Sequence, residues 1–204
     1  MRRIPTSIVL ATDPGLASLG YLLARLYASK GLPPEVEIFA AGVWKAELPE
    51  EDAREQSAVE DSFRRTQTQM QNVHRVVEEY GVSILVTEAL SHPRDAGSAA
   101  KVSMVWGGLA TLVYMLGLHV EMVRPQDVRR LLGLPKTTKT ATRKDKKKLV
   151  IDELERRYGK DGIKALVGHL TRAEERTHPL DALAAFTAVM IQQFGSCVVI
   201  RIVA

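Results

Sequence analysis

Two short apolar runs that each lead to an acidic residue constrain the fold of this chain more than any other feature. Residues 8–11 (IVLA) precede Asp13, and residues 82–87 (VSILVT) precede Glu88. Such runs are typical of strands that are buried on both faces of a sheet. A buried carboxylate is costly unless a positive charge meets it, so two such acids on neighbouring strands would indicate a cation site. The alternative for Asp13 is turn chemistry, because Asp-Pro-Gly is an ordinary turn sequence.

The order of the remaining segments predicts an α/β protein with a mixed five-stranded sheet that is flanked by helices. A break at Pro14-Gly15 makes the first run and residues 20–23 a hairpin, and residues 36–43 alternate as a third strand, so the first three strands are antiparallel. The further strands are predicted over residues 82–87 and 118–123. Helices are predicted over residues 53–80, 97–116, 125–132, 144–158 and 163–170, and from His178 onward after a charged connection over residues 171–177.

Length and cysteine content fit one intracellular domain. A chain of 204 residues predicts a single domain over 1–204, with a core at about 7–194 and an extension over 195–204 that adds at most an edge strand. Cys197 is the single cysteine, which excludes an intramolecular disulfide and a cysteine metal cluster. The first five residues lack the apolar core of a signal peptide, and residues 107–118 are too few to span a bilayer. We therefore expect a cytoplasmic protein with no membrane partner.

Positive charge is concentrated in one tract, although the net charge of the chain is only +4. Within residues 129–148 the one acid is Asp145, and four threonines lie between the cations. Lysine, arginine and hydroxyl side chains are the groups that contact phosphate backbones, so the tract predicts nucleic-acid binding; the alternative is a solvated surface. The predicted contact residues are Arg129, Arg130, Lys136, Lys139, Arg143, Lys144, Lys146, Lys147 and Lys148.

His178 and Asp181 lie three positions apart at the predicted start of the last helix, and therefore on one helix face. One interpretation is local: His178 caps the helix and Asp181 complements its dipole. The other is that both side chains converge with Asp13 and Glu88. Such an oxygen-rich cluster suits Mg²⁺, with Mn²⁺ as a substitute, and two bridged ions can activate water for phosphodiester hydrolysis. His178 would then be a metal ligand or a proton shuttle.

The helix predicted over residues 97–116 has a face of small residues and methionines. Its members are Gly97, Ala100, Met104, Gly107, Gly108, Thr111 and Met115. Small side chains permit close backbone approach, so this face packs either on the sheet or on the same helix of a second copy across a two-fold axis.

Four motifs in this order resemble the RuvC family of Holliday junction resolvases, in the ribonuclease H-like superfamily. They are ATDPGLASLGY (residues 11–21), LVTEAL (85–90), RPQDVRRLLGL (124–134) followed by the basic tract, and HPLDALAAF (178–186). The similarity extends over about residues 7–189 and identifies a divergent member, of which a phage-encoded enzyme would be an example.

The resemblance implies a fold, a reaction and a set of site residues. Asp13, Glu88, His178 and Asp181 would hold two Mg²⁺ ions, and the cations of residues 136–148 would contact the junction phosphates. The helix from Gly97 would lie in a homodimer interface. The implied reaction is paired hydrolysis of two strands of a four-way DNA junction, which leaves 5′-phosphate and 3′-hydroxyl ends.

One departure and several alternatives accompany the resemblance. Cellular members carry an aromatic residue just after the second acid, whereas residues 89–92 here are Ala-Leu-Ser-His. The alternatives are a nuclease for branched DNA in general, a ribosomal-RNA-processing nuclease of the same fold, and a non-catalytic DNA-binding protein. The three acids argue against the last alternative, because a protein that only binds DNA gains by losing negative charge near phosphate.

Overall fold

The computed structural model describes residues 5–28, 31–47, 57–89, 96–135 and 142–203. The described chain forms one six-stranded sheet in the order β5-β4-β1-β2-β3-β6. The strands are β1 (Ser7–Asp13), β2 (Ser18–Tyr27), β3 (Glu35–Lys45), β4 (Ile84–Glu88), β5 (His119–Val123) and β6 (Val199–Ile202). The helices are α1 (Ala58–Tyr80), α2 (Ala96–Leu116), α3 (Pro125–Leu131), α4 (Arg143–Tyr158), α5 (Lys160–Val167) and α6 (Ala173–Phe194).

The predicted mixed sheet with three antiparallel first strands is confirmed. Strand β2 pairs antiparallel with both β1 and β3, whereas β4 pairs parallel with β1 and β5 pairs parallel with β4. The sheet has six strands rather than five, because the C-terminal segment adds β6 in parallel beside β3. The runs of apolar residues predicted the first five strands. Strand β6 is the edge strand that was predicted for the extension over residues 195–204.

Helices cover both faces of the sheet, which explains why β1 is apolar without alternation. On one face, α6 packs with α3, α4 and α5 over Val9 and Ala11. On the other face, α1 and α2 cover Leu10. Because side chains alternate along a strand, Asp13 follows Val9 and Ala11 onto the face that carries α6.

The helix ends follow local sequence signals. Helix α1 begins after Ser57, whose hydroxyl accepts the backbone N–H of Glu60 while the Glu60 carboxylate accepts the backbone N–H of Ser57. Gly81 ends α1 in the left-handed conformation, with φ 64°. Helix α4 begins with the same reciprocal cap between Thr142 and Asp145. These caps fix the boundaries of both helices.

The predicted start of the last helix is wrong. Helix α6 begins at Ala173, so most of the expected connection over residues 171–177 is helical, and Pro179 lies inside the helix rather than at its first position. Proline lacks an N–H, and its position in the second turn costs one intrahelical hydrogen bond. His178 and Asp181 therefore lie beyond the first turn, which removes the interpretation that they only cap the helix or complement its dipole.

Helix α2 is the one described helix that is long and apolar enough to cross a membrane by length and composition. The expectation that the apolar segment is too short was drawn from residues 107–118, whereas the helix has 21 residues with Lys101 as its one charge. Its most apolar window has a mean hydropathy of 1.4 and is 11% buried. A single helix of this kind is weak evidence for a membrane span, and its exposed apolar surface needs another account.

Candidate active site

Two acids meet at the carboxyl ends of adjacent parallel strands, as the sequence predicted. Asp13 is the last residue of β1 and Glu88 is the last residue of β4. Thr12 is paired with Thr87 in the register, so the next residues along the two strands are these acids. Glu88 follows the buried Val86 onto the same sheet face as Asp13, because side chains alternate. Both carboxyl groups therefore lie beneath α6.

Helix α6 brings Asp181 and His178 to the same place. Its alanines at positions 182, 184, 185 and 188 are at most 3% exposed, which lets the helix backbone approach the sheet closely. Gly20 on β2 is part of this fit, because a Cβ atom there would lie 2.4 Å from the His178 backbone carbonyl. The His178 imidazole Nδ1 lies 2.9 Å from the Asp13 carboxylate Oδ2. The predicted convergence of the last helix on the strand ends is thus present, and a glycine on β2 makes it possible.

Lys147 on α4 forms an ion pair with Asp181. The Lys147 Nζ lies 2.8 Å from the Asp181 carboxylate Oδ2, and the two side chains are 31% and 26% exposed. The sequence predicted Lys147 only as a phosphate contact within the basic tract. The structure places its ammonium group among the acids, where it offsets part of their negative charge.

Burial and like charge raise the pKa values of two cleft acids. Burial, followed by the charges of Asp13 and Asp181, raises the pKa of Glu88 to about 7, and the Lys147 ammonium opposes that shift. Burial also raises the pKa of Asp181 above its usual range, against the hydrogen bond from Lys147. Lys147 therefore offsets only part of the negative charge of the acids, and the site retains an affinity for further positive charge.

The acids open into a cleft of about 600 Å³. Its cations come from α3 and α4 and are Arg129, Lys146 and Lys147. Its apolar wall comes from α2, α3 and α4, and includes Val102, Trp106, Pro125, Val128 and Val150. A cleft with acids at its base and cations on its wall can bind a phosphate group beside a site that attracts metal ions.

Comparison with known proteins gives matches among solved structures. No protein-family model matches the sequence, and no curated protein matches it. The Thermus thermophilus RuvC structure in complex with a Holliday junction substrate matches with a TM-score of 0.60 at 19% identity, over 93% of this chain and 97% of that one. The chain has the fold of the RuvC-type resolvases. The resemblance drawn from four sequence motifs is confirmed at the level of the fold.

Two further resolvases have the same fold. The yeast mitochondrial Holliday junction resolvase Ydc2 matches with a TM-score of 0.60 at 13% identity, over 96% of this chain and 85% of that one. The fowlpox virus resolvase in complex with Holliday junction DNA matches with a TM-score of 0.56 at 12% identity, over 91% and 98%. In all three comparisons the shared fold covers more than nine-tenths of this chain.

The site contains side chains that can bind a divalent metal ion, but they are not arranged around one position. Among the described residues, no three His, Cys, Asp or Glu side chains are arranged to hold one ion. Asp13 is hydrogen-bonded to His178 and Asp181 to Lys147, so two of the acids face other partners. Burial is the largest cause of the raised pKa of Glu88, and the negative charges of Asp13 and Asp181 add to it. The residues therefore fit Mg²⁺ or Mn²⁺ by chemistry, provided that the side chains turn towards it.

The basic tract divides into cleft residues and surface residues. Arg129, Lys146 and Lys147 line the cleft, whereas Lys144 and Lys148 are exposed outside it. Arg130 is 70% exposed and lies 3.3 Å from the Asp127 carboxylate. Lys136 and Lys139 lie outside the described residues, as does the side chain of Arg143. Three of the nine predicted contact residues thus line the cleft, and their contact with DNA stays a prediction.

Sequence reasoning missed Trp106 as a cleft residue. Val102 and Trp106 are one helical turn apart on α2 and both line the cleft. Because α2 is apolar on most of its circumference, its sequence pattern does not identify which face meets the sheet and which meets the cleft. Trp106 is the one aromatic residue among the described cleft-lining residues.

Proposed function

We propose that this protein is a metal-dependent endonuclease that cleaves four-way DNA junctions. The observation that carries the proposal is the meeting of Asp13, Glu88 and Asp181 at the strand ends beneath a cleft with cations on its wall. The fold supports it, because the RuvC and fowlpox resolvases with this fold were solved in complexes with Holliday junctions. The proposed reaction is paired hydrolysis of two strands, with 5′-phosphate and 3′-hydroxyl products.

We propose that Asp13, Glu88, Asp181 and His178 hold Mg²⁺, with Mn²⁺ as a substitute and two ions in each site. Bound ions supply Lewis-acid stabilisation of the phosphodiester oxygens and activation of water. The chain itself orients the His178 side chain. The hydrogen bond between its Nδ1 and the Asp13 carboxylate holds the imidazole over β1. Lys147 neutralises Asp181 until the substrate arrives, and Arg129 and Lys146 bind the backbone phosphates on the cleft wall.

The proposed enzyme acts as a homodimer of single-domain subunits in the cytoplasm, without a membrane partner. Helix α2 supports the dimer, because its apolar surface is largely exposed: Tyr114 is 88% and Met115 is 71% exposed. A Cβ atom added at Gly107 would meet nothing within 4 Å, so this part of the helix is open to close approach. A second copy would bury this surface and bring two cleavage sites to one junction.

A substitution that introduces a charge on the exposed face of α2 tests whether this face forms the dimer interface. We expect Met115→Glu to shift the protein from dimer to monomer in sedimentation or mass photometry, because the new carboxylate would be buried in an apolar interface. Lys101→Gln, near the opposite end of the same helix, also makes the net charge one unit more negative and serves as the charge-matched control. An unchanged mass in Met115→Glu would remove this part of α2 from any dimer interface.

Cleavage assays on a panel of DNA and RNA substrates test the proposed function. Purified protein is incubated with a mobile four-way junction, a replication fork, linear duplex and structured RNA, each with Mg²⁺ and with EDTA. We expect metal-dependent, symmetric nicking of the four-way junction alone. Equal cutting of every branched DNA would replace junction resolution by general debranching, and cutting of RNA alone would favour the RNA-processing alternative.

A further inference from the structure

Trp106 occupies a position in the cleft that phosphate binding and metal binding do not use. Its side chain is half-buried on the wall that also includes Val102, in the same cleft as Asp13 and Glu88. Gly108, two positions further along α2, packs against Met70 of α1. Residues two apart lie on nearly opposite sides of a helix, so α2 is held by α1 on one flank and presents Trp106 on the other.

Four other aromatic rings of the described chain take part in ring contacts outside the cleft. Tyr21 stacks on Trp44 with ring centroids 4.1 Å apart, and Phe39 contacts both Tyr80 and the guanidinium of Arg25. Within the part of the chain that the structure describes, no ring stacking, cation contact or hydrogen bond involves the Trp106 indole. Its flat face is therefore available to a ligand in the cleft.

The chemistry of this wall fits a nucleobase. Arg129 and Lys146 supply charge for the phosphate backbone, but Trp106, Val102 and Val128 supply an apolar surface that a phosphate cannot use. Proteins that bind unpaired nucleic acid combine a basic groove with an aromatic ring on which a base stacks. No aromatic residue follows Glu88 within residues 89–92, so Trp106 is also the aromatic side chain that the described cleft offers.

We propose that Trp106 is the stacking platform of a nucleobase subsite beside the catalytic acids. The subsite takes one base that has left its partner near the scissile phosphate. This inference rests on the proposed function, since it assigns part of the same cleft to the DNA substrate. Trp106 is a substrate-positioning residue: it holds the base and thereby places the adjacent phosphate over Asp13 and Glu88.

Tryptophan fluorescence tests the subsite without any need for cleavage. The chain has two tryptophans, so Trp44→Phe leaves Trp106 as the only one, and Trp106→Phe leaves Trp44. Each variant is titrated with a four-way junction in Ca²⁺. We expect quenching in Trp44→Phe and none in Trp106→Phe, because Trp44 stacks on Tyr21 outside the cleft. Unquenched Trp106 emission on a saturated complex would overturn the proposal.

A base-deletion experiment separates stacking from general packing. We expect Trp106→Ala to weaken binding of the intact junction about thirtyfold, the middle of the range for loss of one stacked base. Trp106→Tyr should retain most of the affinity. On a junction with abasic nucleotides around the exchange point, wild type and Trp106→Ala should bind equally. An equal loss on intact and abasic junctions would show that the indole supports the fold of the cleft and contacts no base.

The two proposals fail in different ways. Cleavage of the junction by the wild type, together with unquenched Trp106 and full affinity in Trp106→Ala, would leave the nuclease and remove the base subsite. Quenching of Trp106 by junction, fork or single-stranded DNA, with no cleavage under any metal, would leave the base subsite and remove the nuclease.

Discussion

Acids in the cleft and acids on the helix surfaces of this protein have opposite electrostatic environments. On the helices outside the cleft, the hydrogen bond from Thr142 holds the pKa of Asp145 below its usual range, and the guanidinium of Arg156 does the same for the pKa of Glu153. In the cleft, burial and neighbouring acids raise the pKa of Glu88 to about 7. The side chains have the same chemistry, so the difference comes from where the fold places them.

The surface acids have partners close by in the sequence, whereas the cleft acids come from distant segments. Asp145 bonds a residue three positions away, and Glu153 pairs with Arg156 and Arg157. Asp13 and His178, by contrast, are separated by 165 positions. Local pairs stabilise a helix, while the convergent acids repel one another and are only partly offset by Lys147. The comparison supports the proposed role of the cleft acids in metal binding, and it predicts that they lower the stability of the metal-free protein.

The largest effect should come from removal of a cleft acid. We expect Asp13→Asn to reduce junction cleavage by on the order of 10³-fold or more, because it removes charge at the reacting centre. Junction binding in Ca²⁺ should be kept or improved, since negative charge near phosphate is lost. Glu153→Gln is the matched control and should cleave as the wild type does. Full activity in Asp13→Asn would remove Asp13 from the site.

The same comparison predicts that the stability changes caused by Glu88→Gln and by Glu153→Gln have opposite signs at high pH. A carboxyl group whose pKa is raised on folding favours the folded state at low pH, and the folded state loses that advantage as pH rises from about 4.5 to about 7. Glu88→Gln should therefore stabilise the metal-free protein at pH 8. The upper limit is about 3 kcal/mol for a shift of this size, at 1.36 kcal/mol per pKa unit.

Chemical denaturation in EDTA measures this effect. The gain from Glu88→Gln should shrink as the pH falls towards 4.5, while Glu153→Gln, whose native pKa is lowered, should lose stability at pH 8 and lose less at low pH. A stability change in Glu88→Gln that is the same at every pH would contradict the account, because it would reflect packing instead of charge.

Lysines in the cleft and lysines on α5 should also differ in their effect on the salt dependence of junction binding. We expect the double variant Lys146→Gln with Lys147→Gln to bind junctions more weakly and to reduce the slope of log affinity against log salt by about 2, one unit for each lost phosphate contact. The control is Lys160→Gln with Lys164→Gln on α5, which removes equal charge away from the cleft. Equal slopes for the two double variants would mean that the cleft lysines do not contact phosphate.

The smallest effect should come from a surface cap. Thr142→Ala should lower the free energy of unfolding by about 1 kcal/mol, because it removes the hydroxyl that accepts the Asp145 backbone N–H. Thr142→Ser should restore the stability, and cleavage by the folded protein should be unchanged in both variants. A loss of cleavage in a fully folded Thr142→Ala would show that the start of α4 belongs to the functional surface.

The sequence predicted those parts of the site that follow from local patterns. Apolar runs that end in Asp13 and Glu88 predicted two buried strands, and the structure confirms that they are parallel neighbours. The start of α6 was missed because Pro179 fits a first helical turn, yet the helix tolerates it in the second. The position of Lys147 beside Asp181 could not be predicted, since the two are 34 residues apart and any cation of the tract would satisfy the pattern.

The most direct test of the central claim is to measure Mn²⁺ binding by electron paramagnetic resonance and calorimetry above pH 7. Wild type, Asp13→Asn and Glu153→Gln are compared without DNA and then with uncleavable junction. The account predicts two tightly bound ions per subunit in wild type and in Glu153→Gln when DNA is present, and loss of at least one in Asp13→Asn. Equal Mn²⁺ binding by wild type and Asp13→Asn would contradict the claim that the acids at the ends of β1 and β4 form a metal site.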